Sequence, residues 1–196
     1  LPTFNSGVIE LFVNRIKGLS EHFVFFNDDF YLNAPVKPDY FFKNGLPCDN
    51  NKESCFNVPI YTKEDRFGIT VVMLTDLALL NRHFNRWKTV LQSPRRWFGP
   101  HLGLKGLLMS CILAKQRLFI GFTNYHIEQA FLKSVIDEIW EKEGDFMYET
   151  CTRFRTDVST NQYLFRYWQF AKNQFYPKKR SRKFFFLGDK KVIKDI

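Results

Sequence analysis

Apolar positions come in short clusters separated by polar turns, and their spacing changes along the chain. Ile9, Phe12, Val13 and Ile16 fall on one stripe at helical spacing, with Asn5 or Ser6 placed to cap its start and Gly18 to end it. His22 to Phe26 is an apolar run that reads as a buried strand, and it leads directly into Asn27-Asp28-Asp29. Phe41 to Pro47 reads as a turn closing a short strand, and Pro35 and Pro38 keep the chain before it extended. Ile69 to Leu80 opens with β-branched residues and shifts to Leu and Ala, which favours helix from Val72 to about Phe84. Gln129 to Glu143 places Leu132, Val135, Ile136, Ile139 and Trp140 on one face and charged residues on the other, an amphipathic helix. Thr160 to Asn173 repeats that pattern with Leu164, Tyr167, Trp168 and Ala171 inward. Phe184 to Leu187 reads as a strand before a turn at Gly188-Asp189. No internal repeat is visible, and the pattern as a whole is α/β and helix-rich.

Composition narrows this to one globular domain, or one domain with a lobe. A chain of 196 residues with 45% hydrophobic and 18% aromatic content buries a sizeable core and is not disordered. Phe, with 23 residues, suits a core better than a base-stacking surface. The four cysteines, Cys48, Cys55, Cys111 and Cys151, have no metal-ligand spacing. Cys48 and Cys55 flank a polar loop; they form a bridge in an oxidising compartment and are free thiols in the cytoplasm.

The net charge of +9 is unevenly spread. From Arg82 to Arg117 there are eight Lys or Arg and no acid, and from Lys172 to Lys183 six more, again with no acid. Such segments imply an anionic partner: a membrane surface, a nucleotide-sugar diphosphate, a phosphodiester polymer or a nucleic acid. No recognised nucleic-acid motif is present, so nucleic acid is not the expected partner. Leu102 to Ala114 is apolar but far below the ~20 residues that span a bilayer. With Trp87, Trp97 and Phe98 among arginines before it, it reads either as an interfacial segment or as a buried helix with solvated basic flanks.

Two adjacent carboxylates at the C-terminal end of a strand are costly unless a cation, a metal or a reacting hydroxyl uses them. Ligands of open α/β sheets bind at that end. Asp28 and Asp29 are therefore candidate functional residues, with an Asp-rich surface turn as the plainer reading. His126 can exchange a proton near neutral pH, with a surface histidine as its plainer reading. Arg153 and Arg155 can be outward charges of an exposed strand. His22, His83 and His101 have no motif around them and read as structural.

Several ordered motifs go further. Leu1-Pro-Thr-Phe-Asn-Ser6, Glu10, Arg15-Ile16, Gly18-Leu-Ser-Glu21 and Phe25-Phe-Asn-Asp-Asp29 together resemble the third signature region of the Stealth family. These are the hexose-1-phosphate transferases of microbial capsule synthesis. Asn124-Tyr-His126, Glu138-Ile-Trp140, Cys151-Thr-Arg-Phe-Arg155 and Asn161-Gln162 resemble the fourth region, and residues 81–177 look most like the bacterial capsular branch. The resemblance covers residues 1–177, read as part of a catalytic domain, with 178–196 as a basic extension. It implies a Rossmann-like nucleotide-sugar transferase domain of which this is the C-terminal part, with further sequence on both sides. Residues 1–196 by themselves are accordingly expected to be inactive.

The implied reaction moves a sugar-1-phosphate from a nucleotide-diphosphate sugar to a saccharide hydroxyl, on the cytoplasmic side and peripheral to the membrane. In it His126 takes the hydroxyl proton from a position just before a helix, where phosphate is also favoured. Arg155 grips the phosphoryl oxygens with its planar fork. Asp28 and Asp29 hold a divalent metal such as Mg2+ or orient the acceptor. Asn5, Ser6, Glu10 and Asn27 contact substrate. Two other readings stand beside it: a polyanion- or nucleic-acid-binding module, and a glycosyltransferase that attacks the sugar carbon.

Overall fold

The computed structural model describes residues 3–32, 34–55, 69–154, 156 and 159–180. Helix α1 (Ser6–Leu11) is followed by a 3-10 turn over Val13–Arg15 and strand β1 (His22–Phe25). A hairpin of β2 (Phe42–Lys43) and β3 (Leu46–Asp49) comes next. Four helices follow: α2 (Ile69–His83), α3 (Arg86–Gln92), α4 (Pro94–Trp97) and α5 (Gly103–Ile112). Strand β4 (Gln129–Leu132) leads into the long α6 (Lys133–Glu149), then α7 (Tyr163–Ala171) and a short β5 (Tyr176–Pro177).

The fold is mixed α/β. Strand β1 pairs antiparallel with β4, from His22 opposite Leu132 to Phe25 opposite Gln129. Strand β3 pairs antiparallel with β2 and parallel with β5. Among the described residues β3–β5 is the one parallel pair, so the doubly wound parallel sheet expected of a Rossmann-like domain is not seen there. The turn expected within Phe41 to Pro47 is present and joins β2 to β3 as a hairpin through Asn44-Gly45, both at positive φ, the requirement of a tight two-residue connection. The strand at Phe184 lies outside the described residues.

Helix α7 organises the core. Every residue from Tyr163 to Ala171 is buried, so this helix is enclosed on all sides rather than on one face. It packs on α2, α6 and β4. The Gln169 side chain accepts from the Leu132 backbone N–H (2.9 Å) and donates to Ala130 O (3.3 Å), satisfying the edge of β4 that β1 leaves open. That pairing on both edges explains why residues 129–132 are a strand and not the first turn of a helix. The inward residues of α6 are as expected: Val135, Ile136 and Ile139 are fully buried.

The first helix departs from its expected face. It stops at Leu11, and Val8 and Leu11 are buried while Ile9 and Ile16 are exposed. Trp140 of α6 donates to Leu11 O (2.9 Å), fixing where the helix ends. Gly18 turns the chain at φ 80 before β1, seven residues after the helix has ended. Strand β1 is half-buried along most of its length, not enclosed.

The basic segments are also partly spent inside the fold. Arg86 is fully buried against an equally buried Glu53, with Nε–Oε1 2.6 Å and Nη2–Oε2 2.7 Å. Its Nη1 donates to Leu113 O (2.5 Å). Lys172 pairs with Glu138, Lys178 donates to Tyr40 O (2.9 Å), and Arg180 pairs with Glu128 (2.6 Å). Lys172, Lys178 and Arg180 of the second basic run thus meet their own chain while Lys179 is exposed, and packing continues through Arg180, whose Nη2 reaches Cys48 O (2.9 Å). All four cysteines are free thiols, Cys48 buried and Cys55 exposed.

A buried two-point pair is strongly destabilising to break from one side, by about 3–5 kcal/mol. Urea unfolding should show Glu53→Gln losing stability on that scale, because Arg86 keeps its charge without its counter-ion. The double change Glu53→Gln with Arg86→Met should recover most of the loss; additive losses in the double variant would mean the pair is not the linkage described.

Candidate active site

Asn5 caps α1, its Oδ1 accepting from the Gly7 N–H (3.2 Å), so the helix starts at a fixed point. The Phe4 N–H donates to Arg153 O (2.9 Å), and the Phe4 and Phe154 rings stack at 5.5 Å. The chain entering α1 is thereby tied to the segment leaving α6. Gly7 lets the two surfaces approach: a Cβ there would meet Thr160 O at 3.0 Å. On the next turn of α1, Glu10 Oε2 accepts from the Gln162 N–H (3.2 Å).

These contacts form one wall of a cleft of about 460 Å3. Asn5, Ser6, Glu10 and Asn27 line it from the N-terminal segment, Val72 and Met73 from α2, and Asn124 and His126 from the loop before β4. Asn161, Gln162 and Tyr163 close it at the start of α7. Five of the eight candidate residues, Asn5, Ser6, Glu10, Asn27 and His126, therefore share one cleft. Asp28 and Asp29 occupy an exposed turn beside it, outside its lining. Asp29 Oδ2 lies 3.5 Å from His126 Nε2, a charge-pair distance longer than a hydrogen bond. Phe30 meets the His126 ring edge-on at 4.7 Å. Arg155 lies outside the described residues; Arg153 sits over the exposed Phe4 and Phe154 rings, 5.4 and 5.7 Å from their centres.

One part of the sequence reading is corrected. His126 does not precede a helix: β4 follows it, and α6 begins at Lys133. The first turn of α6 is moreover already capped, with the Glu21 carboxylate accepting from the Ser134 N–H (3.0 Å) and hydroxyl (2.5 Å). A carboxylate already occupies the place where a phosphate would sit.

Two residues that sequence reasoning missed hold the site. Arg166 of α7 is buried and uses all five of its N–H donors. They go to both Asp49 oxygens (2.7 and 3.1 Å), Asn50 O (2.9 Å), Thr123 O (3.2 Å) and Asn124 Oδ1 (2.8 Å). Burial opposes its charge, but the Asp49 carboxylate more than offsets this and raises its pKa. Asn124 in turn donates to the Tyr167 hydroxyl (2.5 Å), whose pKa burial pushes far up, so the phenol stays a neutral acceptor. The loop that carries His126 is fixed two residues before it. Asp76, fully buried in α2, accepts from the Asn161 N–H (3.4 Å), and its Oδ2 has no partner among the described residues. An Arg inside an aromatic helix and an Asp inside the apolar run Val71 to Leu80 were the available signals.

For a divalent ion, no group of three or more His, Cys, Asp or Glu gathers among the described residues. That excludes a dedicated protein cage there, but Mg2+ is commonly held by one or two carboxylates plus substrate phosphates. The Asp28–Asp29 turn at the cleft's edge fits that arrangement.

Residues 1–49 match the family model described as Stealth protein CR2, conserved region 2. The segment that resembles a third signature region is thus matched by the second. Over 177 residues the chain is 40% identical to the capsular polysaccharide phosphotransferase WcwK of Streptococcus pneumoniae, covering 89% of this chain and 51% of that protein. It is 39% identical over 177 residues to the receptor polysaccharide phosphotransferase WefC of Streptococcus gordonii, with coverage of 89% and 51%. It is 36% identical over 200 residues to the exopolysaccharide phosphotransferase cps2G of Lactiplantibacillus plantarum, with coverage of 100% and 57%. The chain spans about half the length of these curated relatives. The family match and the relatives support the Stealth phosphotransferase family.

Burial holds the Asp76 carboxyl well above the ordinary carboxylate range; the Asn161 N–H opposes this, and the charge of Glu10 adds to it. A folded-state pKa above the unfolded one gives full stability below the unfolded value. Stability is then lost as pH rises toward the folded value. Asp76→Asn removes that loss, so its stability relative to the parent should grow as pH rises above the unfolded carboxylate value, with a slope of at most ~1.4 kcal/mol per pH unit. Thermal melts at several pH values check this; a pH-independent difference contradicts a buried neutral acid.

Proposed function

We propose that this chain is part of a Stealth-family polysaccharide phosphotransferase. The whole protein would transfer a sugar-1-phosphate from a nucleotide-diphosphate sugar to a saccharide hydroxyl in capsule or exopolysaccharide synthesis. The observation that carries the reading is convergence. Asn5, Glu10, Asn27, Asn124 and His126 come from three distant segments and meet in one cleft. The Asp28–Asp29 turn stands at its edge.

In the proposed step the acceptor oxygen attacks the phosphorus that bears the sugar. A phosphorus–oxygen bond forms to the acceptor, and the bond to the nucleoside monophosphate breaks. His126 takes the hydroxyl proton, and Asp29, 3.5 Å from its Nε2, steadies the resulting imidazolium. Arg155 holds the phosphoryl oxygens by two parallel bonds. Asn5, Ser6, Glu10 and Asn27 orient the sugar or phosphate with hydrogen bonds. Asp28 and Asp29 would hold a divalent ion such as Mg2+, which when bound neutralises diphosphate charge. The setting is the cytoplasmic side, with an anionic membrane surface as a further partner.

The test is product analysis in the whole protein. Phosphorus NMR of the product should find a phosphodiester, with nucleoside monophosphate released. A phosphorus-free glycosidic product with nucleoside diphosphate released identifies attack on the sugar carbon instead and overturns the reading. His126→Gln should lower turnover by about 10²–10⁴, the usual range for a positioned acid–base group. Arg155→Lys should lower it far more than Arg153→Lys, since lysine keeps charge but loses the two-point grip. Equal mild effects would remove Arg155 from the mechanism.

A further inference from the structure

Helix α5 turns its small residues inward and its large ones outward. Gly106 and Ser110 are its buried residues, and a Cβ at Gly106 would meet Leu102 Cβ at 2.9 Å and Lys52 Cγ at 3.3 Å. Four residues apart on the other side, Leu104, Leu108 and Ile112 are 85%, 61% and 66% exposed. A helix on the surface of a globular protein ordinarily presents polar residues there. Among the described residues α5 is thus not the buried helix with solvated flanks. Helix α3 starts near the end of this segment: the Arg86 N–H donates to Arg117 O (2.8 Å), five residues after α5. Its own exposed side carries Trp87 and Leu91, again four residues apart.

The segment that carries this surface has charge of one sign. Lys88, Arg95, Lys105, Lys115 and Arg117 are exposed, and no acid occurs between Arg82 and Arg117. Arg86 does not belong to the surface, because Glu53 holds it in the core. We propose that α5 docks the protein on an anionic lipid surface, inserting the Leu104–Leu108–Ile112 stripe among the acyl chains while the cations meet headgroups. Charge complementarity selects this occupant. A second copy of the same face would set like charges against one another. A nucleic acid would engage the cations but has no use for an aliphatic stripe. No described helix is long and apolar enough to cross a membrane, and ten residues rise only ~15 Å, half the hydrocarbon thickness of ~30 Å, so α5 lies in the interface. The proposal is independent of the phosphotransferase reading, because vesicle binding is measured without turnover.

The experiment is co-sedimentation with phosphatidylglycerol–phosphatidylcholine vesicles in rising salt, beside pure phosphatidylcholine vesicles. The parent protein should bind the anionic vesicles at low salt, bind the neutral ones far less, and lose binding as salt rises. Leu104→Ser/Leu108→Ser/Ile112→Ser should weaken partitioning at least about tenfold, since these side chains supply the buried apolar area. Lys105→Glu/Lys115→Glu should do the same through charge. All five positions are exposed, and circular dichroism confirms that the variants keep the fold. The proposal is overturned by three results: no binding at low salt; binding indifferent to the three serines, which marks a plain polyanion surface; or a dimer that the serines dissociate with no effect on vesicles.

Discussion

Arg166 is a cation with no access to water, and that condition constrains everything around it. An unpaired guanidinium in such a place costs several kcal/mol, so each of its donors must meet an acceptor. Asp49 and Asn50 come from the hairpin, Thr123 and Asn124 from the loop before β4, and Arg166 itself from the central helix. Three segments that share no secondary structure are thereby fixed to one planar group. The geometry admits little slack, because a guanidinium offers its donors in a rigid fork. The consequence for the site is direct: Asn124 faces both Arg166 and Tyr167, so the chain that presents His126 leaves from an anchored point.

The opposite wall is set by close approach rather than by charge. Asn5 fixes the start of α1, Gly7 admits the Thr160 carbonyl, and Glu10 takes the Gln162 N–H. Trp140 ends the helix at Leu11, the next residue. The cleft is what remains between this wall and α2, and Asp76 lies buried beneath it. Burial raises the pKa of this acid, and the Asn161 N–H is its hydrogen-bond donor there.

What could be read from sequence follows from what each signal depends on. Caps, tight turns and ordered motifs are local, so a cap at Asn5 or Ser6, a turn within Phe41 to Pro47 and the grouping of Asn27 with His126 were legible. Periodicity failed where tertiary contacts outweighed it. Residues 129–132 look helical in isolation, but β1 and Gln169 take both edges of their backbone. The stripe through Ile9 and Ile16 was broken because the helix ends at Leu11. Arg166, Asp76 and Arg86 were missed for one reason. A charged residue in an apolar run has no local mark of its partner, and the partners here lie up to 117 positions away. The same blindness made the basic runs look freer than they are, since counting charges does not reveal Glu53 or Glu128.

The account stands on the claim that the donor's diphosphate reaches the cleft of Asn5, Glu10 and His126, and not the basic surface between Arg82 and Arg117. The four histidines divide these places between them: His126 lines the cleft, His83 and His101 lie in the basic segment, and His22 binds Gly45 O at the hairpin. Histidine-selective NMR of the whole protein, titrated with a nucleotide-diphosphate sugar, therefore reads the location directly. The predicted result is a saturable shift of the His126 ring signals, lost in His126→Gln, with His83 and His101 unmoved. Shifts confined to His83 or His101 would contradict the account and place the anion on the basic surface.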